Sequence, residues 1–236
     1  MARIGLFDVP LLMRGLGNLA VFVWEMFPPN LAIIPTAAAA LLETVEMALV
    51  GTFLGFLVAL PFGLLGARNV FSEPIIGFAR AVLAVARTIP SLLWALIFVV
   101  AVGLGPLAGT LGLAAYTVGY LGKLYYEAVE AVDPDVLEAV KSVGCSKVQL
   151  IRFAVIPESA NQILSQLMFM FEYNVRASSI LGFVGAGGVG FYMLGYVQVF
   201  DYRSLMTVLI ATLALVVLMD WVSAKLRQRF VIIARR

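Results

Sequence analysis

Glu172, Asn174, Arg176, Ser178 and Ser179 form a dense run of polar side chains near the end of an otherwise apolar stretch. An ionised residue at the centre of a membrane helix costs about 2.5–3.5 kcal/mol on insertion scales, so such residues pair or face a cavity. Glu172 and Arg176 are one helical turn apart, and that spacing predicts an ion pair on one helical face. Arg176 has further chemistry to offer, because a planar guanidinium beside hydroxyl donors suits an anion. Arg87, next to Thr88, is a weaker candidate for the same work, its alternative being an interfacial anchor for its helix.

Other chemistries are excluded. The sequence holds no histidine, which removes the commonest general base and metal ligand, and Ser-His hydrolysis with them. There is no Gly-x-Ser-x-Gly nucleophile turn. Cys145 is the single cysteine, so neither an intrachain disulfide nor a cysteine-cluster metal site is expected. No metal and no catalytic residue is expected in this chain. Gly185-Ala-Gly187-Gly-Val-Gly190 matches the dinucleotide pattern G-x-G-x-x-G, but that fingerprint needs a soluble strand–turn–helix unit. Here it lies between two apolar stretches and reads as a flexible or re-entrant segment that lets backbones pack closely. No G-x-x-x-x-G-K-[ST] segment occurs, so ATP binding through a P-loop is not expected in this chain. Glu127, Glu130, Asp133, Asp135 and Glu138 read as caps and surface charges in a solvated loop.

The elements that must carry these residues are membrane helices. The chain is 62% hydrophobic, whereas soluble domains are about half apolar, and its mean hydropathy is +1.01. Met47–Ala67 is charge-free and long enough for a span. Thr88–Gly122 is also charge-free, too long for one span and broken at Gly103-Leu-Gly-Pro106, which predicts a helical hairpin starting near Ala81. Further spans are predicted from about Pro157 to Asn174 and from about Ser204 to Ala224. In residues 1–40, Arg14 and Glu25 interrupt the apolar run and Phe27-Pro-Pro-Asn30 ends it. An interfacial amphipathic helix is expected there, a kinked extra span being the alternative, and no secretory signal peptide is evident. Residues 41–236 then form the membrane domain.

Charge sets the orientation. With about five spans and an external N-terminus, Arg68, Arg80, Arg87, Lys123, Lys141, Lys147, Arg152, Lys225, Arg227, Arg229, Arg235 and Arg236 fall inside. Only Arg3, Arg14, Arg176 and Arg203 lie on or toward the other side. The net charge of +2 comes without a basic cluster, so no nucleic-acid partner is expected.

The loop at about 127–157 is therefore cytoplasmic, and it is helix-competent. Asp133 can cap, Pro134 suits the first helical position, and Asp135 favours the positive end of the helix dipole. Val136, Leu137, Val140 and Val143 share one stripe with Lys141 off it, and Gly144 suits a left-handed residue past the helix end. Ser146-Lys-Val-Gln149 reads as a capping box that opens a second helix. The expected product is a helix–turn–helix whose apolar face the same chain need not cover.

Glu138-Ala139, then Gly144, then Ala154-Val-Ile-Pro157 resembles the "EAA" loop of ABC importer permeases. That family usually has Ala, Ile and Leu where this chain has Val140, Ala154 and Ile156, changes that roughly keep size and polarity. Longer segments are similar to the phosphonate-type permeases: Ala59–Asn69, Val99–Gly109, Gly119–Ala128 and, most distinctively, Phe171-Glu-Tyr-Asn-Val-Arg-Ala-Ser-Ser179 continuing into Val184–Gly190. The resemblance implies an all-α integral membrane, MetI-like permease fold with about five core spans plus the N-terminal interfacial helix. It implies a non-enzymatic half-transporter in the bacterial cytoplasmic (inner) membrane. Its partners would be a second copy, two ATP-binding subunits, an extracytoplasmic substrate-binding protein and membrane lipid. ATP and Mg would belong to the ATPase partner, so the chain needs no cofactor of its own. Asp135, Glu138, Ala139, Lys141, Gly144, Cys145 and Ser146 would form the ATPase-coupling surface. Arg87, Glu172, Asn174, Arg176, Ser178 and Ser179 would line the path of a phosphonate-type oxyanion, with phosphite, hypophosphite and phosphate esters as near neighbours. A permease for a phosphate ester or an amino acid, or a secondary transporter or channel, are the alternatives.

Overall fold

The computed structural model describes residues 8–231, and every regular element in that range is helical. Arg3, Arg235 and Arg236, used above for orientation, lie outside the described residues. In chain order the helices are α1 (Val9–Glu25), α2 (Ile34–Leu65), α3 (Glu73–Thr88), α4 (Ser91–Val102), α5 (Pro106–Glu130), α6 (Pro134–Ser142), α7 (Lys147–Leu150), α8 (Ile156–Leu181), α9 (Val189–Gln198) and α10 (Tyr202–Val231).

Leu31–Leu65 and Tyr202–Arg229 are continuous helices long and apolar enough to cross a membrane. Two bent pairs meet the same standard jointly: α3 with α4, at 87°, and Lys147–Val184 with α9, at 43°. The fifth member of the bundle is α5, which at 25 residues is about 37 Å long. It packs against α2, α3, α4 and α8, so its neighbours shield it and it need not be uniformly apolar.

Several boundaries differ from those expected, each for a local reason. The first membrane helix starts at Ile34, not near Met47, so position 40 falls inside it. Glu43 and Glu46 broke the apolar run on paper, yet Glu43 is satisfied by the backbone of Gly188. The predicted hairpin arm is itself broken. Pro90 lacks an N–H and disfavours helix at the residue before it, and Ile89 is extended at φ −83°, ψ 119°. Across that break the Trp94 indole N–H donates to the Ala86 carbonyl at 2.9 Å, satisfying a group at the frayed end of α3. The fourth span continues to Leu181 instead of ending near Asn174, so the polar cluster lies inside a helix. The glycine-rich stretch is followed by a helix, α9, that was not expected.

At the N-terminal end, α1 is capped by Asp8, whose carboxylate accepts from the Leu11 N–H at 3.0 Å, and it has no buried residue. The connection to α2 is tied to the start of α10. The Asn30 side chain donates to Ser204 Oγ at 3.0 Å, and the Thr207 hydroxyl donates to the Asn30 carbonyl at 2.8 Å.

Close packing of α2 on α5 runs through small residues. A Cβ at Gly55 would lie 2.5 Å from Thr117 side-chain carbons and 3.0 Å from the Ala114 carbonyl oxygen. Backbones that approach this closely gain packing contacts where lipid offers no hydrophobic drive. Gly55→Leu is therefore expected to abolish recovery of folded, detergent-stable protein. Gly77→Ala, where no atom lies within 4 Å of the added carbon, is expected to be tolerated or to stabilise by up to about 1 kcal/mol. Thermal unfolding in detergent checks both. A Gly55→Leu protein as stable as the parent would remove the packing argument.

Candidate functional site

Two regions carry the polar chemistry, one at the α5–α8 connection and one inside the bundle. The connection is built as its sequence predicts. Asp133 Oδ1 accepts from the Asp135 N–H at 2.9 Å and opens α6. Gly144 takes φ +74° just beyond its end. The Ser146 hydroxyl accepts from the Gln149 N–H while the Gln149 side chain accepts from the Ser146 N–H, a reciprocal capping box. Next comes a wide π turn at Ile151–Val155, leading into Pro157, which has no N–H to give to the preceding turn.

The apolar stripe of α6 is not left uncovered, contrary to expectation. Leu137 is buried, and Val136 and Val140 pack with it against Ala67, Val70, Tyr126, Val129, Leu150 and Val155. The chain itself provides this seat because Glu130 gathers three elements. Its carboxylate accepts from the Arg80 guanidinium and, at 2.8 Å, from the Arg68 N–H, while Arg80 lies over the Tyr126 ring at 4.2 Å. What faces outward is Asp135, Glu138, Ala139, Lys141, Gly144 and Ser146 together with Val143, which is 80% exposed. Cys145 is half-buried against the core of this junction.

Inside the bundle, Glu172 and Arg176 do not pair with each other. Glu172, with only 7% of its side chain exposed, accepts from Arg227 of α10 at 3.1 Å, and Arg176 donates to Asp220 of α10 at 2.9 Å. The helices run antiparallel, so residues a turn apart on α8 meet residues two turns apart on α10 in reverse order. Sequence spacing sees only partners on the same helix, which is why the real ones were missed. Asn174 is fully buried, and its side-chain amide donates to Thr52 of α2 at 2.8 Å and Thr117 of α5 at 2.9 Å. Ser178 and Ser179 return their hydroxyls to the Val175 carbonyl of their own helix. Arg87 is half-buried and makes no ion pair or side-chain hydrogen bond among the described residues. Its backbone lies against Gly119, where a Cβ would collide with it.

Among the six candidates, Arg176 borders a defined cleft. This space of about 240 Å³ lies between the α3–α4 break, at Pro90–Leu92, and Tyr173, Arg176 and Ile180 of α8. A second cleft, about 330 Å³, lies at the bundle end where the Gly105 N–H donates to the Gly185 carbonyl at 2.9 Å. Glu43 lines it. Its carboxylate accepts from the Gly188 N–H at 2.7 Å, and Thr44 Oγ1 accepts from the Val189 N–H at 2.8 Å. The Gly188 and Val189 amides are thus already occupied, one of them by an anion. A helix and a 3₁₀ turn precede the glycines, with no strand, so the dinucleotide pattern is a coincidence of letters. Glu43, Thr44, Thr52 and Thr117 carried no sequence signal, since each needs a partner distant in the chain.

Residues 59–232 match the family model described as "Binding-protein-dependent transport system inner membrane component". The chain belongs to this family. Its fold agrees with that of the inward-facing MetNI methionine ABC transporter, at TM-score 0.76 and 22% identity over 85% of this chain and 98% of that one. This ABC importer permease is also similar to the phosphite transport system permease protein PtxC of Stutzerimonas stutzeri, 36% identical over 96% of this chain and 83% of the relative. The phosphate-import permease protein PhnE of Mycolicibacterium smegmatis is 37% identical over 90% of this chain, which spans 42% of that longer relative. The protein is accordingly a multi-pass permease subunit that forms the translocation path of an ABC importer.

The two α8–α10 pairs differ in burial, and their energetics should differ accordingly. Arg227→Met leaves the Glu172 carboxylate buried without a partner and is expected to destabilise by about 3–5 kcal/mol. Adding Glu172→Leu should recover most of that loss. Arg176→Gln, at a half-exposed pair, should cost about 0–1 kcal/mol. Denaturation of the detergent-solubilised variants measures all three. Equal costs for the two single variants would contradict the burial argument.

Proposed function

We propose that this permease is one half of a homodimeric, ATP-driven importer of phosphorus oxyanions of the phosphonate–phosphite type, in a bacterial cytoplasmic membrane. The observation that carries the substrate class is the near full-length similarity to a phosphite permease, joined by a second relative that imports phosphate. Both cargoes are tetrahedral phosphorus oxyanions. Arg176 beside the broken span fits that class, since a guanidinium presents paired donors to such oxygens. Arg87, in the last turn of α3 before the same break, is a second cation. Glu172, Asn174 and Ser178 support the path by bracing α8 against α2, α5 and α10, and Ser179 lies beside them on α8.

The outward surface of α6 and the Gly144 turn docks on a separate ATPase subunit. Glu138, Ala139, Lys141 and Val143 make the contact, with Asp135, Cys145 and Ser146 setting the helix ends and turn. Because Leu137 and its neighbours are seated in the permease core, a push on α6 reaches α2, α3 and α5 together. ATP binding draws the two docking surfaces together and switches the spans between two rigid-body arrangements. The loops at Gly103–Pro106 and Gly185–Gly190 face outward, toward an extracytoplasmic binding protein, and α1 lies along the membrane interface.

Gly144→Val forces a β-branched residue into φ +74°, and Glu138→Lys reverses an exposed charge. Both are expected to insert and dimerise normally. Both should lose most of the stimulation of ATP hydrolysis by loaded binding protein in proteoliposomes with the ATPase subunit. Full stimulation in both variants would reject the docking assignment.

A further inference from the structure

Tyr116 and Tyr120 of α5 and Tyr173 of α8 form a stacked cluster that no role assigned so far absorbs. Their ring centroids are 6.0, 5.8 and 6.4 Å apart, with interplanar angles of 27°, 23° and 4°. All three are half-buried. Tyr116 lies ten residues into α5, about 15 Å from its end and therefore near the middle of a hydrocarbon core about 30 Å thick. The neighbouring Thr117 bonds Asn174, which places Tyr173 at the same depth.

Phenylalanine would stack as well, so the hydroxyls need a separate explanation. At this depth lipid offers them no partner, and a hydroxyl without a partner in an apolar medium is costly. None of the three bonds a backbone group or another kind of side chain among the described residues. A polar path beside the cluster would satisfy them. Tyr173 also lines the cleft that holds Arg176, so the cluster continues the cleft toward the α6 end of the bundle.

We infer that Tyr116, Tyr120 and Tyr173 form a hydroxyl relay that receives the oxyanion from Arg176 and passes it inward along the half-exposed side of the α5–α8 pair. The inference rests on the oxyanion reading above. Neutral donors suit a relay because passage needs binding strong enough to admit the ion and weak enough to release it. A guanidinium at each step would hold the anion too tightly, and an aliphatic wall would not replace its hydration.

The test uses the assembled transporter in proteoliposomes, with ATP and loaded binding protein, and follows uptake of phosphite, phosphate and sulfate. The triple variant Tyr116→Phe, Tyr120→Phe, Tyr173→Phe keeps the rings and removes only the hydroxyls. It is expected to take up phosphite or phosphate slower by about tenfold or more, with dimerisation and basal ATP hydrolysis unchanged. Parental uptake rates in the triple variant would overturn the relay while leaving the oxyanion reading intact. Loss of basal hydrolysis or of the dimer together with uptake would also overturn it, in favour of a packing role. A parental protein that moves neither phosphorus oxyanion would overturn the oxyanion reading itself, and the relay with it.

Discussion

Lipid cannot hydrogen-bond, so each interruption of a helix in this protein must be repaired from elsewhere in the chain. The constraint explains features that otherwise look unrelated. The break before α4 frees a carbonyl at Ala86, and Trp94 reaches back to it. The break before α9 frees amides at Gly188 and Val189, and Glu43 and Thr44 reach across from α2 to take them. A glutamate that seemed to disqualify the first apolar run is thus part of what lets a later one bend. The same accounting makes Asn174 a three-helix junction, joining α8 to α2 and α5.

The repairs also divide the molecule into rigid and adjustable parts. Along α2 and α5 the glycine backbone lies against Thr117 and the Ala114 carbonyl, with no space for a single added methyl at Gly55. Between α8 and α10 the polar contacts are two ion pairs, and the approach to α8 is a π turn, an arrangement that admits discrete alternatives more readily than a packed seam does. Glu130 stands where the two regimes meet. It joins the α2–α3 turn to the end of α5, one residue before the loop that carries the proposed docking helix. Under the proposed docking, a force applied at α6 would enter the rigid part first.

The distribution of cations follows from the same physics. Arg227 neutralises a deeply buried carboxylate and has little left to offer a passing ion. Arg176 shares a half-exposed aspartate and borders open space. Two arginines that look equivalent in composition differ because one is committed to holding α10 in place.

Local signals were legible wherever the interaction spans a few residues. The Asp133 cap, the Gly144 turn and the Ser146–Gln149 box are all present as read, because each closes within a single turn of chain. The membrane class and the all-helical fold followed from composition and apolar runs, and the family from the resemblance of the Glu138–Pro157 loop and the longer segments to known permeases. The exchange of the expected Glu172–Arg176 pair for two bonds to α10 was not legible, nor was the burial of the α6 stripe. Nor were the start of α2 at Ile34 and the helix after the glycines. Each depends on which distant element arrives alongside. A carboxylate at Glu43 interrupts an apolar run until an amide 145 residues away meets it. Sequence alone determined what each segment is able to form. Tertiary structure decided which polar groups are consumed in holding the bundle and which, like Arg176, border open space, because in lipid a partner must come from another helix.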